Sequence, residues 1–174
     1  MNKTLVDFQE ELTGALIGLA RATEGNEHLV NKETDRLLLE SLQAAGDRRA
    51  DETAVRKLIV KVREEKNRLV PDCAVCASSC GRTAEYDQRE ALLEGEDVRS
   101  LKSLIRFGIR DIADYAYPAA RLGYRDGEVI RFLYKALYFL GWNGGSEYLL
   151  PVAMETEEIR QRCVDRLEGA AVGA

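Results

Sequence analysis

Apolar residues recur every three or four positions through most of the chain, a spacing that predicts α-helices. In the first part of the chain we predict three helices, over residues 4–23, 31–45 and 51–69. Thr4 and Asp51 are expected to cap the first and third, because short polar side chains bind the free N–H groups of a first turn. The residues expected to face inward are Leu5, Phe8, Leu12, Leu16, Leu19, Leu37, Leu38, Leu42, Val55, Leu58, Ile59, Val62 and Leu69.

The second half of the chain has the same periodicity. Further helices are predicted over residues 83–93, from Glu96 or Asp97 to Leu122, over residues 126–140, and from Ser146 or Leu150 to Gly169. Pro118 is expected to bend the long helix, because proline removes a backbone hydrogen bond and clashes with the preceding turn. The residues expected to face inward are Val98, Leu101, Ile105, Gly108, Ile112, Tyr115, Ala119, Leu122, Val129, Phe132, Leu133, Ala136, Leu137, Leu140, Val152, Ile159, Cys163 and Leu167.

These patterns predict an all-α protein, an antiparallel bundle of about six helices with a cysteine-bearing loop between its N-terminal and C-terminal helical groups. We expect a single domain over residues 1–174, made of a three-helix segment (1–69), the cysteine loop (70–87), a second bundle (88–168) and a frayed tail (169–174). A chain of this length buries enough apolar surface to be stable without disulfides.

Composition and charge narrow the class of protein. Hydrophobic residues make up 45% of the chain and charged residues 32%, a balance typical of soluble proteins. The net charge of -5 disfavours nucleic acid as a partner. Charged residues interrupt every apolar stretch before roughly 20 residues, and Asp7, Glu10 and Glu11 stand where a signal peptide needs an apolar core. We therefore expect a cytoplasmic protein without a membrane partner.

Three of the four cysteines lie close together between the two groups of helices. Cys73, Cys76 and Cys80 form a C-x2-C-x3-C pattern, and Pro71 and Gly81 disfavour a continuous helix through it. In a compact loop, this spacing lets thiolates converge on one metal or iron-sulfur cluster. The alternative interpretation is that the cysteines, at positions i, i+3 and i+7, face a core as small apolar residues.

Three cysteines leave a four-coordinate site one ligand short. The fourth ligand is expected to be Cys163, His28, a carboxylate of Asp72, Glu85 or Asp87, or a residue of a second subunit. Cys163 also fits a packed core residue, since it lies on an apolar stripe, and His28 also fits a surface residue. An iron-sulfur cluster is the first interpretation of the site, and a structural zinc ion is the second.

The stretch from Cys76 to Ala84 and the two helices after it resemble the N-terminal helical domain of the hybrid cluster protein (prismane, or hydroxylamine reductase) family. The segment from Leu104 to Ala116, LIRFGIRDIADYA, resembles the one that follows the family's cysteine motif, and the run from Gly127 to Leu137 resembles the next helix. The resemblance covers about residues 70–168. The helical region of carbon monoxide dehydrogenases is similar more distantly.

The resemblance implies an iron-sulfur protein. The family binds a four-iron cluster through four N-terminal cysteines; Cys73, Cys76 and Cys80 match three of them, and the third cysteine of the family pattern has no counterpart. The family's active hybrid cluster is held by later α/β domains, which we expect this chain to lack. The resemblance thus implies an oxidoreductase-like electron-transfer or redox-sensing protein of an anaerobe, with a redox partner and without a complete active site. The alternative is a cluster-free helical module that forms a homodimer or binds a partner protein.

Overall fold

The structure, a computed structural model, describes residues 2–70, 95–142 and 144–173, with side chains up to residue 169. These residues form six α-helices and a short 3-10 helix, and none of them forms a strand, so the predicted all-α fold is confirmed. The helices are α1 (Leu5–Thr23), α2 (Lys32–Gly46), α3 (Glu52–Leu69), α4 (Glu96–Arg121), α5 (Gly127–Leu140) and α6 (Ser146–Gly173), with the 3-10 helix at Glu27–Leu29. Within these ranges, no helix is both long enough and apolar enough to cross a membrane.

The chain divides into two compact units, Met1–Asp87 and Gln88–Ala174. Each unit is described by itself, and the single domain expected from the sequence stays a prediction. The helix predicted over residues 83–93 lies outside the described residues.

The first unit packs α1 against both of its neighbours. Gln9 near the start of α1 donates hydrogen bonds to the carbonyl oxygens of Ala44 and Asp47, at 2.9 and 2.7 Å, so α1 and α2 are antiparallel. Arg63 of α3 donates to the carboxylate of Glu11 at 3.2 Å. Because the guanidinium of Arg56, earlier in α3, lies 5.2 Å from the ring centroid of Phe8, earlier in α1, these two helices run parallel.

The second unit repeats this arrangement with longer first and third helices. The backbone of α4 approaches α6 closely at Gly108, where an added Cβ atom would lie 2.2 Å from Cγ2 of Thr156. Farther along both helices, Arg166 hydrogen-bonds to the side chain of Tyr115, so α4 and α6 run parallel. Between them α5 runs in the opposite direction, because Lys135, late in α5, donates to Glu155, early in α6, at 2.9 Å.

The ends of the helices agree with most of the sequence signals. The Thr4 side chain accepts a hydrogen bond from the backbone N–H of Asp7 and thereby caps α1, as predicted. Asp51 precedes α3, but its side chain makes no capping hydrogen bond, so that prediction is wrong. The Asp51 side chain is exposed, so water can solvate the carboxylate without a contact to the helix. Pro118 lies inside α4, and the predicted bend there stays a prediction.

The C-terminal helix is longer than the sequence predicts. Helix α6 continues to Gly173, four residues beyond the predicted end, and the frayed tail expected over residues 169–174 stays a prediction. Two alanines follow Gly169, and alanine has the highest intrinsic preference for the helix, which offsets the cost of the glycines.

The predicted core is largely confirmed. All inward-facing residues predicted for α3 and α5 are buried, as are those in the middle of α1, α4 and α6. In α2, Leu39 is buried while Leu37 is only half-buried. The buried face of α2 is therefore rotated slightly about the helix axis from the predicted face. Leu5, Phe8, Val98, Leu101, Tyr115 and Ala119 are also only half-buried. Leu122 and Leu167 are wrongly predicted as core residues, since they are 80% and 53% exposed.

Candidate functional site

The predicted metal ligands of the cysteine loop lie outside the described residues. These are Cys73, Cys76 and Cys80, together with the alternative ligands Asp72, Glu85 and Asp87. Among the residues that the structure does describe, no three or more His, Cys, Asp or Glu side chains are grouped so that they could hold a metal ion.

Helix α3 precedes the cysteine loop in the chain, and contacts within the first unit hold its last turn in place. Leu69 is 1% exposed, so the last residue of α3 belongs to the core of the first unit. The neighbouring Arg68 donates to the carbonyl oxygen of Leu29 at 2.8 Å and to the hydroxyl of Thr34 at 3.2 Å, and it also pairs with Glu65. These contacts fix the end of α3 against the start of α2, just before Pro71.

The two more distant candidate ligands lie in different surroundings. His28 lies in the 3-10 helix and is exposed, as its interpretation as a surface residue predicts. Cys163 lies in α6 and is 2% exposed, so its predicted place in an apolar stripe is confirmed. The role of either residue as the fourth ligand stays a prediction.

The chemistry of Cys163 follows from its burial. Burial raises the pKa of the Cys163 thiol, and the negative charge of Asp126 acts in the same direction. The positive charges of Arg166 and Arg162 oppose this rise without cancelling it. Because the thiolate is the form that binds metals and reacts, the surroundings of Cys163 favour a protonated core residue.

A polar cluster next to Cys163 joins the three helices of the second unit. The carboxylate of Asp126 accepts a hydrogen bond from the backbone N–H of Val129 at 3.2 Å and thereby caps α5. The same carboxylate pairs with Arg166 of α6, which also hydrogen-bonds to Tyr115 of α4. Partial burial raises the pKa of Asp126, but the hydrogen bonds from Arg166 and Val129 and the charge of Arg166 outweigh it, so the net shift is downward.

Replacing Asp126 should destabilise the second unit in a way that depends on pH. We expect Asp126→Ala to lower the free energy of unfolding by about 1 kcal/mol at neutral pH, because the helix cap and the ion pair are both lost. Asp126→Asn should lose less, since asparagine also caps helices. Folding lowers the pKa of the Asp126 carboxyl group, so the charged group stabilises the folded state at pH values above its ordinary pKa of 3.8. This stabilisation is lost as the pH falls through the folded-state pKa.

Urea unfolding of the three proteins at neutral pH and at about pH 3, followed by the fluorescence of Trp142, measures these differences. The difference between the unsubstituted protein and Asp126→Ala should shrink at the lower pH. An Ala variant as stable as the unsubstituted protein at neutral pH would contradict the assigned contacts.

Sequence reasoning missed the exposed apolar residues beside this cluster. Leu122 ends the apolar seam of α4 and Leu167 that of α6, yet both side chains meet solvent. The signal that could have found them is their position at the ends of helices. Leu122 follows Arg121, the last residue of α4, and Leu167 lies level with the start of α5, since Arg166 pairs with Asp126.

Comparison with known proteins identifies relatives of the chain. No family model matches it. It is 31% identical over 161 residues to a hydroxylamine reductase of Chlorobaculum tepidum, an alignment that covers 85% of this chain and 30% of that protein. A hydroxylamine reductase of Maridesulfovibrio salexigens is 32% identical over 109 residues, 59% of this chain and 20% of the relative. One from Caldanaerobacter subterraneus subsp. tengcongensis is 50% identical over 44 residues, 25% of this chain and 8% of the relative.

In these alignments the chain spans at most 30% of the length of the relatives. The similarity therefore concerns part of each relative and most of this chain. The resemblance to the hydroxylamine reductase family noted in the sequence is confirmed: over up to 85% of its own length, this all-α chain is similar to part of a hydroxylamine reductase.

Proposed function

We propose that this protein binds an iron-sulfur cluster through Cys73, Cys76 and Cys80 and uses it in electron transfer or redox sensing. The observation that carries the proposal is the C-x2-C-x3-C pattern in a chain that is 31% identical to a hydroxylamine reductase over 161 residues. The cysteine pattern and the similarity together indicate an iron-sulfur cluster more specifically than the pattern alone. Closely spaced cysteines also occur in zinc sites and in protein cores.

The donor set is chemically suited to the cluster. Iron-sulfur clusters are held by cysteine thiolates, and two cysteines separated by two residues recur in such sites. When bound, the cluster would supply one-electron chemistry at a potential set by its charge, its exposure and the hydrogen bonds to its sulfurs. A four-iron cluster is the proposed type, as the family resemblance implies. The fourth ligand is Cys163, His28, a carboxylate of Asp72, Glu85 or Asp87, or a residue of a second subunit.

The described part of the first unit supplies a stable support for such a site. The residues from Leu12 to Ala20 in α1 are all buried, and the end of α3 is held by Arg68 and by the burial of Leu69. A site that is held on packed helices keeps its ligands in place better than one on unsupported chain.

Hydroxylamine reduction itself is not part of the proposal. The chain covers at most 30% of the relatives that we compare, so the activity named for those proteins belongs to a much longer chain. The proposed role is therefore to pass electrons to or from a redox partner protein, in the cytoplasm, as a protein that is not a complete enzyme by itself.

A second candidate function is a cluster-free module that binds another protein or a second copy of this chain. The observation that favours it is the exposure of Leu104 and Phe107 on α4, at 62% and 65%, where helix residues three positions apart form one surface. Exposed apolar groups of this kind occur at protein interfaces.

Metal analysis separates these functions. We expect protein purified without oxygen to contain iron and acid-labile sulfide in similar amounts and to absorb broadly in the visible range. Zinc without sulfide would replace the proposal with a structural zinc site. The absence of both metals from well-folded protein would favour the interaction module, and sedimentation would then show whether the chain is a dimer.

A further inference from the structure

His28 is tied to the end of α3, from which the chain continues to the cysteine loop. Arg68, in the last turn of α3, donates a hydrogen bond to the carbonyl oxygen of Leu29, the residue next to His28, at 2.8 Å. Leu29 and Arg68 are 39 positions apart in the sequence. Tertiary packing therefore brings the 3-10 helix Glu27–Leu29 to the end of α3.

Further contacts hold this connection in place. Arg68 also donates to the hydroxyl of Thr34 at 3.2 Å and pairs with Glu65 of its own helix. Thr34 is fully buried, and its hydroxyl accepts a hydrogen bond from the backbone N–H of Asn31 at 3.2 Å. The chain from His28 to the start of α2 is thus fixed against the last turn of α3.

The covalent chain limits the distance from this point to the first cysteine of the loop. One residue of extended chain spans at most about 3.3–3.6 Å, so the Cα atom of Cys73 lies within about 11 Å of the Cα atom of Val70. The backbone N–H of Val70 donates to the carbonyl oxygen of Lys66 at 3.1 Å and closes the last turn of α3. One ligand of the proposed cluster is therefore confined to the end of α3 at which His28 lies.

An imidazole suits iron better than the other candidate groups of this chain. Imidazole nitrogen is a usual ligand of iron, whereas carboxylates suit harder cations, which disfavours Asp72, Glu85 and Asp87. Histidine also replaces cysteine in some iron-sulfur clusters. Cys163 is 2% exposed and burial raises the pKa of its thiol, so the thiolate that iron requires is disfavoured there.

We propose that His28 is the fourth ligand of the iron-sulfur cluster and binds one iron through a ring nitrogen, while Cys73, Cys76 and Cys80 bind the other three. This inference rests on the proposed function, because it requires a cluster on the three cysteines. His28 is exposed, so its imidazole can turn towards a ligand without losing a core contact. A neutral imidazole brings one negative charge less than a thiolate, which raises the reduction potential.

The test uses the untagged full chain, purified without oxygen, because His28 is the only histidine of the sequence. Histidine labelled with ¹⁵N in its ring therefore labels a single side chain. Iron and sulfide analysis first establishes whether the cluster is present. Pulsed electron paramagnetic resonance of the reduced protein then measures the coupling of the ¹⁵N nuclei to the cluster, and we expect the strong coupling of a nitrogen bound directly to iron.

The two measurements distinguish a failure of this inference from a failure of the proposed function. A cluster without strong ¹⁵N coupling would overturn His28 as a ligand and leave the iron-sulfur protein standing. Folded protein without iron and sulfide would overturn both.

Two substitutions of His28 separate binding of the cluster from a structural effect. His28→Ala should lower the iron content from about four atoms per chain to about three, since one iron loses its protein ligand. His28→Cys should keep the full iron content and lower the reduction potential, because a thiolate adds negative charge. Far-ultraviolet circular dichroism of the same samples verifies that both variants are folded.

Glu27→Gln, in the same 3-10 helix, is the matched control. Glutamine keeps an acceptor for the backbone N–H of Gly25, which donates to the Glu27 carboxylate at 3.1 Å. This variant should keep both the iron content and the potential of the unsubstituted protein. Unchanged iron content in His28→Ala together with an unchanged potential in His28→Cys would contradict the assignment of His28.

Discussion

Gly108→Ala should destabilise the second unit by about 2 kcal/mol or more, although alanine normally favours a helix over glycine. The added methyl group would lie 2.2 Å from Cγ2 of Thr156, far inside van der Waals contact. Thr156 has little freedom to move, because it is 2% exposed and its hydroxyl donates to the carbonyl oxygen of Val152 at 2.6 Å. Relief of the clash therefore requires α4 and α6 to separate.

The matched control is Gly127→Ala, because a Cβ atom at Gly127 meets nothing within 4 Å. That variant should be as stable as the unsubstituted protein or slightly more stable. Fluorescence-monitored urea unfolding compares the variants, since Trp142 is the only tryptophan of the chain and lies in the second unit.

A second substitution tests the cause of the destabilisation. Thr156→Ser removes the Cγ2 methyl group while keeping the hydroxyl that bonds to Val152, so Gly108→Ala combined with Thr156→Ser should regain most of the lost stability. The coupling between two residues in contact is measured by such a double-mutant cycle. Additive effects of the two substitutions would contradict the close packing of α4 on α6.

Cys76→Ser should remove the iron and sulfide from protein purified without oxygen while leaving its helical content unchanged. Cys76 is the central cysteine of the pattern, and a serine hydroxyl is a poor substitute for a thiolate at an iron-sulfur cluster. Metal analysis and far-ultraviolet circular dichroism, made on the same sample, separate loss of the cluster from loss of the fold. Iron that persists in a folded Cys76→Ser variant would exclude Cys76 from the site.

The matched variant is Cys163→Ala, which tests the remaining cysteine. We expect this variant to keep its iron, because Cys163 is 2% exposed and burial raises the pKa of its thiol. It should be less stable by about 1 kcal/mol, since a small buried side chain is shortened. Loss of iron from a folded Cys163→Ala variant would instead assign Cys163 as the fourth ligand.

The helices could be predicted from the sequence because their signals are local. Apolar spacing predicted the buried faces of α3 and α5, and Thr4 marked the start of α1 through the hydrogen bond that its side chain accepts. Asp51 shows the limit of such a signal, since a capping residue type in the right position makes no capping bond when its side chain is solvated.

The exposure of Leu122 and Leu167 could not be predicted from apolar spacing alone. Leu122 and Leu167 have the spacing of core residues, but burial also needs a neighbour at the same level of the bundle. The pairing of Arg166 with Asp126 and Tyr115 is likewise set by tertiary packing, because the three residues come from different elements. The predicted cysteine site lies outside the described residues and stays a prediction.

The parallel packing of the first and third helices has a consequence for the speed and order of folding. In both units these helices meet through residues roughly 50 positions apart, whereas the middle helix joins its neighbours through short turns. Because the entropy cost of closing a loop grows with its length, a helical hairpin should form before the parallel pair docks. If docking follows the rate-limiting step, Gly108→Ala should accelerate unfolding while leaving the refolding rate nearly unchanged.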